Sequence, residues 1–333
     1  MKPKSGEDTI LVLARRQCVS VDRLSNSEIF DLKSDRYGYM LTFCDEQSPC
    51  PPVVFLYAKM SLHRYNFVKG TQFELIGVQK YVKTSSSAAA SYYITLDATD
   101  PATGSLQTFQ NIVSEISFGR FMLSCNIARI KGEPRDGRGF LRRPDIRGLG
   151  GPRDGKEFLR RPDMSLPKCP SENPFETYYL VKESELQENS WIRLYLELAV
   201  AKTDRHCKAK GAGLSDLEIV DVAIDAANDE EGLYANNALF YIRYRDLYKA
   251  TLGEPLDRIA IVRRSFDKPT GGFRLVGHAM SSDVIPNHRK IANEEDTGCS
   301  SFKGQSTELP TQISSPLGAS EDHEAANQLA GYD

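Results

Sequence analysis

The chain has 333 residues, 40% of them hydrophobic and 26% charged, with a formal net charge of -3. That length suffices for about two ordinary domains at roughly 100 to 200 residues each. A charge so near neutral excludes a chain that is basic throughout, as a bulk nucleic-acid binder would be, or acidic throughout, so any charge-driven function is local.

At the amino terminus the single apolar run, Ile10 to Ala14, is interrupted by Arg15 and Arg16. It falls short of the roughly 7 to 15 residues of a signal-peptide core. No stretch reaches the roughly 20 apolar residues of a membrane-spanning helix. A soluble protein made in the cytosol, with no membrane partner, is the expectation. Seven cysteines, Cys18, Cys44, Cys50, Cys125, Cys169, Cys207 and Cys299, include no Cys-x-x-Cys pair. Their odd number and scatter predict free thiols rather than a disulfide framework or a zinc site.

Residues 1–50 read as a variable segment closed by DEQSPCPP, whose prolines remove helix and ladder donors. Residues 51–131 are ordered in pattern. Phe55, Ala58, Leu62 and Tyr65 recur at three and four residues, one face of a helix, and Gly70 follows as a stop. FELIGVQKYV, SYYITLDAT, LQTFQNIVSE and FMLSCNIARI then read as four strands. Their linkers are too short for parallel crossovers, so the sheet is predicted antiparallel with the helix on one face.

Residues 132–174 change character. PRDGRGFLRRPDI at 134–146 returns as PRDGKEFLRRPDM at 152–164, and between Lys131 and Lys168 eleven Lys or Arg face six Asp or Glu, a net of +5. Pro and Gly deny both copies a long helix or a central strand, which predicts a basic, flexible linker.

Order resumes over 175–282. SWIRLYLELAVAKTDR is a second amphipathic helix, with Ser190 as candidate N-cap and Trp191, Leu194, Leu198 and Ala201 on its apolar stripe. LEIVDVAIDA, ALFYIRYRDL, DRIAIVRRSF and GGFRLVGHAM are four further strands, the last two joined by DKPTGG. The expected fold class is α+β, a helix packed on antiparallel sheet in two such units. Residues 283–333 hold three Lys or Arg against nine Asp or Glu, a net of -6, with few large apolar side chains, and are expected to be a disordered acidic tail.

YAKMSLHRYN at 57–66 resembles the helix signature of plant cystatins, with Met60 for the usual Phe and Arg64 for an acid. Aligned on Tyr92 to Asp97, the inhibitory Gln-x-Val-x-Gly loop would fall on Ser85, Ser86, Ser87, Ala88 and Ala89, which offer neither its apolar edge nor its glycine turn. The Pro-Trp of the second cystatin hairpin is absent too, since Trp191 is the only tryptophan. LHRYNFVKGTQFEL, SYYITLDATDPATGSLQTFQ, SCNIARIKG, SWIRLYLELAVAKTDR and AIVRRSFDKPTGGFRLVG, spanning about Tyr57 to Gly277, are similar to the plant Male-Sterility-Five family, described as cystatin/monellin-like. The resemblance implies a cystatin-like fold and a role in early meiosis, chromosome pairing and male fertility.

No Gly-x-Ser-x-Gly elbow, Walker loop, His-Glu-x-x-His or Rossmann fingerprint is present, and the five histidines are far apart in sequence. A non-enzymatic adaptor is therefore expected, with protein partners and with no cofactor, metal or small-molecule ligand. Localisation is expected in the nucleus, alone or with a cytoplasmic pool. The candidate binding residues are Arg142, Arg143, Arg160 and Arg161 of the basic repeat, positioned to meet phosphates or an acidic protein surface. Two alternatives remain at this point: a cysteine protease inhibitor, disfavoured by the missing loop, and a chromatin-associated protein binding weakly through the basic linker.

Overall fold

The computed structural model describes residues 24–133, 165–204, 213–226 and 232–282. The first half holds α1 (Asn26–Phe30), β1 (Tyr39–Phe43), α2 (Pro52–Lys69), β2 (Glu74–Thr84), β3 (Ser91–Asp100), β4 (Ser105–Glu115) and β5 (Phe121–Ile130). The second holds α3 (Pro174–Thr177), β6 (Tyr179–Leu180), α4 (Glu183–Glu188), α5 (Trp191–Thr203), β7 (Leu217–Ala226), β8 (Asn237–Asp246), α6 (Leu247–Thr251), β9 (Asp257–Asp267) and β10 (Gly272–Ser281). The chain is α+β, as its patterning predicts, and all eight strands expected from composition are present.

Each long helix starts and stops for local reasons. Pro52 occupies the first turn of α2, where its missing N–H costs nothing, and Gly70 closes the helix at φ 67°. The predicted stripe is largely buried, but Val54, Leu56, Tyr57, Met60, Ser61 and Arg64 are buried as well. A helix resting on a sheet alone buries one stripe; α2 has the sheet beneath it and α5 beside it. In α5, Leu194, Leu198 and Ala201 are buried while Trp191 is only partly so. The Ser190 side chain makes no capping bond. Asn189 works at this end instead, accepting from Trp191 Nε1 at 2.9 Å and donating to the Glu185 carbonyl at 2.8 Å.

All ten strands form one antiparallel sheet in the order β1-β2-β3-β4-β5-β10-β9-β8-β7-β6. The halves meet where β5 pairs with β10, from Phe273 opposite Cys125 to Gly277 opposite Phe121. On the face beneath α2 and α5 lie Ile94, Leu96, Phe109, Val113, Leu123, Phe240, Ile242, Val262, Phe273 and Leu275, all fully buried. Full burial of one such side chain is worth about 1.5 to 3 kcal/mol, so this row dominates the fold's stability.

Two features of the opposite face have no counterpart in the sequence reading. α1 covers its β2–β3 region, with Phe30 edge-on to Tyr93 at 5.5 Å. On the other half the chain leading into β6 crosses β8, stacking Tyr178 on Tyr241 at 5.6 Å and placing Phe175 under the Arg243 guanidinium.

Candidate functional site

The basic repeat lies outside the described residues, and with it Arg142, Arg143, Arg160 and Arg161. The acidic tail and the His206–Cys207 neighbours lie outside them as well. Cys44, Cys50, Cys125 and Cys169 are free thiols, and burial raises the first three above the ordinary thiol range. Thiols so held stay protonated and are poor nucleophiles. Among the described residues no group of three or more His, Cys, Asp or Glu is placed to hold a metal ion, and no helix is long and apolar enough to cross a membrane.

Polar chemistry gathers first at the seam between the halves. Glu115, at the end of β4, accepts from Lys202 Nζ of α5 at 2.6 Å and from Tyr57 Oη of α2 at 2.7 Å. Burial pushes the Glu115 pKa upward, but these two donors outweigh it and hold the carboxyl below its ordinary range. Deeper in the seam His63 of α2 stacks on Trp191 at 5.2 Å and bonds Tyr195 Oη through Nε2 at 3.0 Å. Arg264 of β9, fully buried, donates to the carbonyls of Leu233 and Ala235 at 2.6 Å each and to Tyr195 Oη at 3.5 Å. Its guanidinium also sits over the rings of Phe67, Trp191 and Phe240 at 4.9 to 5.1 Å. Loss of water, with the Arg264 charge second, pushes His63 down to about 3. The ring is thus neutral near pH 7, and its Nε2 and Tyr195 Oη share one hydrogen bond. Most of these polar groups are spent on one another, although the buried Arg264 Nε has no hydrogen-bond partner, so the seam fastens the halves together.

One surface open to contacts among the described residues is the end of the first half where three connections line up. Ser85 N donates to Gly38 O, and Glu115 N to Ala90 O, each at 2.9 Å, which ties the turn before β1, the β2–β3 loop and the β4–β5 hairpin into one row. Gly38 takes φ 82°, a value that favours glycine. Tyr37 is 84% exposed at one side of the row and Phe118 68% exposed at the other. With strands about 4.8 Å apart, the two aromatics flank a strip roughly 17 Å wide. The Ser85–Ala89 loop sits between them.

The sheet edge is a poorer docking surface. Tyr39 spends its outward N–H and carbonyl on Arg36, at 2.7 and 3.0 Å, and Leu41 N donates to Asp35 Oδ1 at 2.8 Å. At the far edge Arg193 donates to the carbonyls of Leu217 and Leu214 at 3.0 and 3.1 Å. Contacts of this kind blunt edge pairing. Sequence reasoning passed over Tyr37 and Phe118; their one signal was an aromatic beside a turn glycine, at Tyr37-Gly38 and Phe118-Gly119.

A family profile described as Protein MS5 matches residues 166–275. UPF0725 protein At3g25080 of Arabidopsis thaliana is 57% identical over 187 residues, covering 55% of this chain and 96% of that protein. UPF0725 protein EMB2204 of the same plant is 39% identical over 241 residues, covering 71% of this chain and 69% of its own. The chain belongs to the MS5 (UPF0725) family. A solved member carries the fold: the crystal structure of MS5 from Brassica napus shares 32% identity, spans 69% of this chain and 98% of its own, and superposes with a TM-score of 0.51. The matched profile holds Trp191, Tyr195 and Arg264 of the seam, whereas Tyr37 and Phe118 lie outside it.

Proposed function

We propose that the chain is a non-enzymatic regulator or adaptor of early meiotic progression and chromosome pairing, needed for male fertility, acting in the nucleus through protein–protein contacts. Membership of the MS5 family carries the reading, through likeness to Brassica napus MS5 over 98% of that chain. The mode of action rests on the row of loops flanked by Tyr37 and Phe118. Exposed aromatics supply large contact area at low entropic cost, and they are enriched among residues that dominate binding energy. Inhibition of a papain-type protease is the poorer reading, because Ser85 to Ala89 present no apolar edge between those aromatics.

The test is a loss-of-function line in the plant of origin, scored for chromosome pairing in male meiocytes and for pollen viability. The reading expects unpaired chromosomes and inviable pollen, both restored by the wild-type gene. Normal pairing and full pollen viability in a verified null would overturn it.

A further inference from the structure

Charge is sorted along the strands of the first half. Glu74 starts β2, while Asp100 and Glu133 stand at or just past the ends of β3 and β5, so all three lie away from the row of loops. At the row itself stand Arg36, Lys83 and Arg120, all exposed. Arg36 adjoins Tyr37, and Arg120 follows Phe118 and Gly119 in the β4–β5 hairpin. Lys83 lies just before the Ser85–Ala89 loop, opposite Met40 of β1, which is itself 52% exposed.

These cations are not spent on the fold. Glu115 is committed to Lys202 and Tyr57, and Asp35 accepts the Leu41 N–H. Arg36 is the smallest of the influences on Glu28, whose carboxylate accepts the Ser25 N–H at 2.6 Å and caps α1. In the second half the pattern is reversed: Arg193 pairs with Glu197, Arg243 with Asp221, Arg245 with Asp257 and Arg258 with Glu254. Among the described residues Arg36, Lys83 and Arg120 hold no such partner. Unneutralised charges of one sign on one strip add into a field that attracts the opposite sign.

We propose that the strip between Tyr37 and Phe118 receives an acidic, extended segment of a partner protein, its apolar side chains on the two aromatics and its carboxylates on Arg36, Lys83 and Arg120. The proposal rests on the reading of this end as the contact surface and names the chemistry that it recognises. A strip roughly 17 Å wide is crossed by about five extended residues at roughly 3.4 Å each, which sets the spacing of the two apolar anchors. The exposed hydroxyls of Ser85, Ser86 and Ser87 lie between, able to donate to or accept from the segment's backbone. A nucleic acid fits less well. Duplex DNA presents one charge per about 1.7 Å, far more than these cations match, and aromatics roughly 17 Å apart do not stack successive bases.

Panning a display library of random peptides against the full chain tests this, at a length of about 12 residues, more than enough to cross the strip. The recovered peptides should be rich in Asp and Glu and carry two apolar side chains about five residues apart. A recovered peptide, labelled and measured by fluorescence anisotropy, should bind less tightly as salt rises. Arg36→Gln, Lys83→Gln and Arg120→Gln should each weaken it about 1.5- to 5-fold, as loss of one exposed ion pair does, and together on the order of tenfold. Melting curves check that the variants fold, and the salt series carries the test if one does not. Recovery of neutral or basic peptides that Tyr37→Ser with Phe118→Ser abolishes would overturn the acidic partner and leave the contact surface standing. Recovery of no peptide beyond those that this double variant also binds would overturn both. Displacement of the recovered peptide by duplex or single-stranded DNA, with DNA binding the more tightly, would assign the cations to phosphate and overturn the proposal.

Discussion

Lys202 of α5 and Glu115 of β4 stand 2.6 Å apart with 7% and 9% of their side chains exposed, an ion pair that joins the two halves of the chain from inside. Removing one partner of a buried pair leaves the other charged and unmatched, a loss of about 3 to 5 kcal/mol. Lys202→Met should therefore destabilise the chain by that order in urea unfolding. Adding Glu115→Gln should recover much of the loss, because the stranded charge is gone. A Lys202→Met variant as stable as wild type would mean that the pair contributes nothing to the seam.

His63 gives the fold a pH dependence of defined sign. Its pKa falls from 6.5 to about 3 on folding. Between those values the unfolded chain takes up a proton that the folded chain refuses, so stability is complete above 6.5 and declines as pH drops toward 3. The slope is at most about 1.4 kcal/mol per pH unit for one such group. Glu115, held below its ordinary 4.5, loses its contribution only beneath that value, and His278, also lowered by burial, adds to the His63 slope. Urea unfolding at pH 7, 6 and 5 should show a shallower decline in His63→Phe than in wild type. Identical slopes would place His63 in water.

Gly277 leaves no room for a side chain in the sheet. It pairs with Phe121 across the junction between the halves and with Val262 of β9. A Cβ at this position would lie 2.2 Å from the Ile261 carbonyl oxygen, a backbone atom that cannot step aside. Gly277→Ala should destabilise by at least about 1 to 3 kcal/mol, the range for overpacking. A melting temperature within about 1 °C of wild type (about 0.5 kcal/mol for a chain of this size) would show that β9 and β10 part more easily than their pairing implies.

Local pattern made the two long helices and eight strands legible, since alternation, the Gly70 stop and the boundary prolines before Val53 act within a few residues. The junction of β5 with β10 was not, because pairing Phe121 with Gly277 depends on partners more than a hundred residues apart. Trp191 shows the same limit. Its spacing with Leu194 and Leu198 placed it correctly on the inner side of α5, but the stripe could not say that it would end against His63 and Arg264, only partly covered. β1 and α1 were hidden in a segment of mixed composition. Their contacts, such as Phe30 on Tyr93, are supplied by the sheet they cover. Tyr37 and Phe118 were equally invisible, because an exposed aromatic carries no periodicity.

The row of loops that ends in Tyr37 and Phe118 is the part of the account on which function turns, and complementation tests it directly. Both residues are largely exposed, so Tyr37→Ser with Phe118→Ser should leave stability within about 0.5 kcal/mol of wild type. The measurement is chromosome pairing in male meiocytes of a null line carrying the double variant at wild-type protein level. Pairing should remain defective, as in the null, although the protein is folded and present. Full restoration of pairing by the double variant would contradict the claim that this chain acts through contacts made by that end of its sheet.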